Sequence, residues 1–249
     1  MARGLLWPVG MTNIQKKWMA AFGVGFGLSA FGIDSPAAWA LEFSGYSWDI
    51  KDGHDSRLGP GPNRFRKENV SVDSLGQLHM SIRRDADGVW SCAEIIMRDN
   101  VGYGSYTMVL ETPIDSFHPQ AVLGFFTWSD RVPHAEMDIE IARFNGIDGP
   151  NLFFSVQPNA VVQKISGTSW NRSEHTFVWT RGLVRFTSTA LGPGSDSISP
   201  MNRSIREGIT LPMSTTPRIN YWLRGGVPPR RVSTRKLEVV ISAVEFVRM

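Results

Sequence analysis

The sequence predicts an all-β domain, a sandwich or jelly roll, on three observations. Beyond Leu41, helix-period stretches are scarce, short alternating runs are many, and turn signals punctuate those runs. Residues 70–73, 77–83, 106–111, 136–141 and 237–247 all alternate in the way strands do. Between them fall Gly59-Pro60-Gly61-Pro62-Asn63, Asp73-Ser74-Leu75-Gly76, Asp85-Ala86-Asp87-Gly88, Asn145-Gly146, Gly192-Pro193-Gly194 and Gly225-Gly226. Many short strands spaced this way favour packed antiparallel sheets over βαβ units. No internal repeat and no Pro/Ser-rich linker divides the chain, so 41–249 reads as one domain.

The first forty residues read differently. Lys16 and Lys17 precede an apolar stretch over 18–33, and Ala38-Trp39-Ala40 supplies a small-residue cleavage pattern. That order is a secretory signal peptide, with cleavage expected after Ala40 and Met11 as an alternative start. The expected location is therefore secreted or periplasmic. No stable membrane association is expected after cleavage, an uncleaved anchor being the competing reading. The leader also carries much of the charge. Arg3, Lys16 and Lys17 against Asp34 account for two of the formal +3, which leaves the remainder at +1 and gives no argument for nucleic acid. The late basic residues Arg224, Arg230, Arg231, Arg235 and Lys236 read as a solvated loop.

Other chemistries find little support. Cys92 is the one cysteine, so an intrachain disulfide is excluded and a small buried thiol is its default role. The five histidines have no zinc-ligand spacing. Gly102-Tyr103-Gly104 lies between two strand-like runs with no helix to follow, so it is not a dinucleotide loop. Asn69, Asn171 and Asn202 fit glycosylation acceptors, a pattern that is common by chance.

The informative strand is the one around residue 138. Glu136, Asp138 and Glu140 occupy its even positions and Met137, Ile139 and Ile141 its odd ones. Side chains alternate across a strand, so the carboxylates share one face and the apolar residues the other. Like charges at i, i+2 and i+4 repel and cost stability. Catalysis, a calcium site and a plain acidic surface all remain open on pattern alone. A retaining glycosidase needs two carboxyl groups about 5–5.5 Å apart. Glu136 and Glu140 would lie roughly 13 Å apart along a flat strand, so catalysis requires a bent strand on a concave sheet. Asp138 between them would orient the nucleophile and help to keep the acid protonated. Sugar binding should add flat aromatic faces, for which Trp128 and Trp222 are the candidates, while Phe125 reads as core.

Glu136-Met137-Asp138-Ile139-Glu140 resembles the E-x-D-x-E signature of glycoside hydrolase family 16, the lichenase, laminarinase, agarase and xyloglucan-transglycosylase family. Flanking runs resemble the family's other strands in order: Cys92–Ile95, Gly102–Val109, Val122–Trp128, Asn151–Gln157, Glu174–Trp179 and Arg218–Trp222. The resemblance implies a β-jelly-roll sandwich of two antiparallel sheets with a concave substrate cleft. It implies Glu136 as nucleophile, Asp138 as its assistant and Glu140 as acid/base, acting on a β-linked polysaccharide. Asn220 and Trp222 match cleft residues of the family, and Ser155 and Gln157 fall where cleft-lining residues occur. His134-Ala135 replaces the lichenases' Trp-Asp pair, His134 being similar to the transglycosylases, so the substrate stays open. The resemblance implies no required cofactor. A structural calcium away from the cleft is common in the family. A monomer is expected. Transglycosylation at the same site, and a non-catalytic glycan-binding jelly roll, are the alternatives.

Overall fold

In the computed structural model, residues 39–132, 135–144, 149–157, 163–166, 169–193, 201–206, 209, 211, 215–230 and 234–249 are described. Sixteen strands are seen among them. They are β1 (Ala40–Phe43), β2 (Tyr46–Ile50), β3 (Arg64–Phe65), β4 (Val70–Val72), β5 (Leu78–Arg84), β6 (Trp90–Met97), β7 (Gly104–Leu110) and β8 (Ala121–Trp128). Then follow β9 (Met137–Ala142), β10 (Pro150–Val156), β11 (Gln163–Ser166), β12 (Ser173–Thr180), β13 (Leu183–Ala190), β14 (Met201–Ile205), β15 (Thr216–Leu223) and β16 (Lys236–Arg248). Only two short 3-10 turns, Lys67–Asn69 and Arg224–Gly226, interrupt the strands among the described residues.

The strands form two layers. One sheet runs β11-β10-β9-β8-β15-β6 and continues through β2 to β1. The other runs β4-β5-β16-β7-β12-β13-β14. Pairing is antiparallel apart from the short β3–β6 contact, and β6 touches both layers because its first residues also pair with β5. Each alternating run predicted from the sequence is a strand here. The turn glycines Gly76 and Gly88 sit at φ of +74° and +84°, a region that suits a residue without a Cβ.

The core lies between the layers. Phe154 of β10 stacks on Phe186 of β13 with centroids 5.1 Å apart, and Phe125 of β8 meets Phe177 of β12 at 5.4 Å. Phe125 is fully buried, as its sequence context suggests. Strand β12 alternates strictly, placing Ser173, His175, Phe177 and Trp179 inward. His175 is satisfied there by the Ser173 and Ser188 hydroxyls, each 2.8 Å away, and burial pushes its pKa down to about 3. Cys92 is buried and inert, its thiol pushed up to about 12 by burial. Asn69 is not a glycosylation acceptor on this fold. It is buried, and its side-chain amide donates to Ser91 Oγ and the Cys92 carbonyl.

Candidate active site

Alternation decides which residues of the first sheet can reach substrate. On β9, Met137, Ile139 and Ile141 enter the core, which turns Asp138 and Glu140 to the opposite face together with Glu136 just before the strand. On β8 the same rule puts Leu123 and Phe125 inside and Gly124, Phe126 and Trp128 outside; on β15 it buries Ile219 and Tyr221 beneath Arg218, Asn220 and Trp222. The outward residues line a cleft of about 400 Å³, closed on one side by Lys51, Gly59 and Pro60 and by Glu94 of β6.

Strand register arranges these side chains in rows. Glu94, Asn220, Gly124 and Glu140 stand opposite one another across β6, β15, β8 and β9. The next row holds Arg218, Phe126 and Asp138, with Ser155 of β10 beyond. Gly124 is required by packing: a Cβ there would lie 2.6 Å from Asn220 Oδ1. The missing side chain lets Asn220 lie over β8 toward Glu140, with Oδ1 buried and unpaired.

Electrostatics mark the carboxylates. Burial pushes the Glu136 carboxyl up to about 7, with Arg218 pulling in the opposite direction. Burial also lifts Glu140 to about 7, and the charge of Glu136 adds to that. Asp138 is held well above the ordinary carboxylate range, by burial first and then by Glu140 and Glu136, with Ser155 opposing. Only 7% of Asp138 is exposed, its Oδ1 has no partner, and Ser155 Oγ donates to Oδ2 at a long 3.5 Å. Three partly dehydrated acids therefore share fewer than three negative charges near neutrality. A plain acidic surface would not be buried in this way.

The structure gathers Glu136, Asp138, Glu140, Trp128, Asn220 and Trp222 around one cleft. Ser155 is not among the cleft-lining residues. It sits one strand further out and serves Asp138 by hydrogen bonding. Gln157 is also absent from the lining, its backbone amide instead donating to the Glu136 carbonyl at 3.1 Å. His134 lies outside the described residues. Sequence reasoning missed Lys51, Gly59, Pro60, Glu94, Gly124, Asp130 and Arg218 as cleft residues. Lys51 Nζ is 2.7 Å from Glu94 Oε2, and Arg218 bridges Glu94 and Asp130 at 3.5 Å each. Among the described residues, no three or more His, Cys, Asp or Glu side chains gather to hold a metal ion.

Known structures share this architecture. A β-glucanase of Bacillus licheniformis superposes with a TM-score of 0.64, covering 81% of this chain and 92% of that one at 19% identity. A family 16 endo-glucanase from Bacteroides ovatus superposes at 0.59, over 80% and 94% of the two chains, at 11% identity. The fold is that of the family 16 glycoside hydrolases. No protein-family model matches the chain. In sequence, it is 22% identical over 149 residues to the endo-1,3-1,4-β-glycanase ExoK of Rhizobium meliloti; the match covers 56% of this chain and about half (53%) of that relative. The jelly roll expected from the E-x-D-x-E resemblance is thus the architecture of the family 16 fold found here.

Proposed function

We propose that this chain is an endo-acting β-glycan hydrolase that works with retention through Glu136 and Glu140. One observation carries the reading. Two carboxylates on the outer face of a buried strand, and a third on the residue leading into it, share an open cleft, and the proton affinity of each is raised. Such a group can lose its proton to act as nucleophile or keep it to act as acid at the same pH.

In the first step a carboxylate oxygen of Glu136 attacks the anomeric carbon, while the bond from that carbon to the leaving oxygen breaks. Glu140 gives its proton to that oxygen, and the cut chain departs. Glu140, now ionised, takes a proton from water as the water oxygen attacks the same carbon and displaces Glu136. Two inversions give net retention. Asp138, flanked by both, keeps the pair's proton affinity high and orients Glu136. Trp128 and Trp222 offer flat faces to sugar rings at the two ends of the carboxylate row.

A β-glucan is the favoured substrate, because the relatives reported above are β-glucanases and a β-glycanase. The proposal includes a secretory leader over 1–40 and with it a secreted or periplasmic location, and separately a monomer. Incubation of the purified protein with laminarin, lichenan, agarose, carrageenan and xyloglucan tests the reading. New reducing ends with a rapid fall in chain length are expected on at least one β-glucan. Redistribution of chain length without new reducing ends would show transglycosylation, and tight binding without turnover would show a glycan-binding module.

A further inference from the structure

Three cleft carboxylates with raised proton affinity pose a question of order: which ionises first. The cations of the cleft are placed unevenly with respect to that question. On β15 the outward residues are Arg218, Asn220 and Trp222, so a guanidinium stands in the row of Asp138 and a neutral amide in the row of Glu140. The guanidinium leans toward the Glu136 end. Its Cζ is 5.8 Å from the Trp128 ring centroid, and Nη2 is 3.5 Å from Asp130 Oδ2. Its other arm, Nη1, is 3.5 Å from Glu94 Oε1.

Neither partner fully quenches the charge of Arg218. Glu94, 1% exposed, is already engaged by Lys51 at 2.7 Å. Asp130 has its side chain 82% exposed, so water screens it. The Nε of Arg218 is buried without a partner. The described charged groups facing the carboxylates are Lys51 from the segment after β2, Glu94 from β6, Asp130 from the turn after β8, Arg218 from β15, and the three acids themselves. Arg131 lines an adjoining pocket with Arg218, Trp128 and Asp130. Arg218 pulls against burial at Glu136, whereas burial and the charge of Glu136 both raise Glu140.

We propose that Arg218 is a positioning residue that fixes the order of ionisation, so that Glu136 becomes the nucleophile and the proton stays on Glu140. The inference rests on the retaining-hydrolase reading above. Glu94, Asp130 and Trp128 hold the guanidinium at a stand-off, near enough to favour the Glu136 anion yet without a tight ion pair that would block its attack. In the row of Glu140, the corresponding place on β15 is taken by the neutral amide of Asn220, and the cation Lys51 is paired there with Glu94 at 2.7 Å.

The test is a carbon-13 titration of the Glu136 and Glu140 side-chain carboxyls in the full chain without substrate, paired with the pH profile of kcat/KM. In the native protein Glu136 should titrate before Glu140. In Arg218→Gln the Glu136 midpoint should rise by roughly one unit, and the acidic limb of the profile should move with it. Arg218→Lys should fall between the two. Asp130→Asn, at a solvent-facing position, should lower the Glu136 midpoint by a few tenths of a unit by releasing Arg218 from its outer partner. Unmoved midpoints in all three variants would overturn the proposal. So would a uniform loss of rate in Arg218→Gln with both limbs in place, which is the mark of a purely structural residue. A native protein inactive on every polysaccharide would defeat the hydrolase reading, while the titration would still report the ionisation order.

Discussion

Replacing Gly124 by alanine adds a single methyl group to the cleft floor and tests the packing that places Asn220. The new Cβ would stand 2.6 Å from Asn220 Oδ1, 3.5 Å from Asn220 Cγ and 3.6 Å from Phe126 Cδ1. Only the first contact is prohibitive, and it must open by about 0.8 Å to reach ordinary contact near 3.4 Å. Asn220 is 3% exposed and packed between β8 and β6, so it has little room to yield. Overpacking of this kind costs about 1–3 kcal/mol. For a chain of this size each kcal/mol lowers the melting temperature by roughly 2–4 °C. The displaced amide faces Glu140, and misplacement of a cleft group by about 1 Å can cost ~100-fold in rate. Thermal unfolding and kcat/KM of Gly124→Ala, Asn220→Ala and the double variant form a closed cycle. The double variant should melt higher than the sum of the single losses allows, because removing the amide removes the clash. Native melting and kinetics in Gly124→Ala, or strict additivity, would refute this account of the glycine.

Further outcomes follow from the same geometry. Glu136→Gln and Glu140→Gln should each lower kcat by at least ~100-fold, and neither should lower the melting temperature at pH 7. Stability against pH gives an independent check, because both carboxyls bind protons more tightly folded than unfolded, near 7 against 4.5. The folded state therefore holds more protons, so their effect is absent below about pH 4.5 and weakens the fold progressively as pH rises toward 7. Denaturant midpoints of the native protein should fall over that window relative to a Glu136→Gln, Glu140→Gln double variant, and parallel curves would contradict the assignment. Trp128→Ala should raise KM with little change in melting, since 38% of Trp128 is exposed. Trp222→Ala should raise KM and also destabilise, because Trp222 packs on Val122, Ala142 and Phe153; a change in melting alone would place it in the core.

The sequence exposes what a single strand can encode. The even–odd pattern of 136–141 separates cleft from core without knowledge of any neighbour, and the same rule serves Trp128, Asn220 and Trp222. Relations between strands are less legible. Glu94 and Asn220 stand opposite each other across 126 residues of sequence, and the bridge from Lys51 through Glu94 to Arg218 joins three separate segments. Alternation gives the face of a strand but not its partner in register, so neither pairing could be read in advance. Ser155 shows the same limit. Its parity puts it on the cleft side of β10, but one further strand step carries it out of the lining and behind Asp138. Gly124 is legible only in hindsight, since nothing local explains a glycine in a regular strand until Asn220 is seen to occupy its space.

The most direct test of retaining cleavage at Glu136 and Glu140 is the anomeric form of the first product. Proton NMR spectra taken within minutes of adding enzyme to a susceptible β-glucan should show the β-anomer of the new reducing end first, with the α-anomer growing in only by mutarotation. Initial release of the α-anomer would mean a single displacement by water and would contradict the assignment of Glu136 as nucleophile.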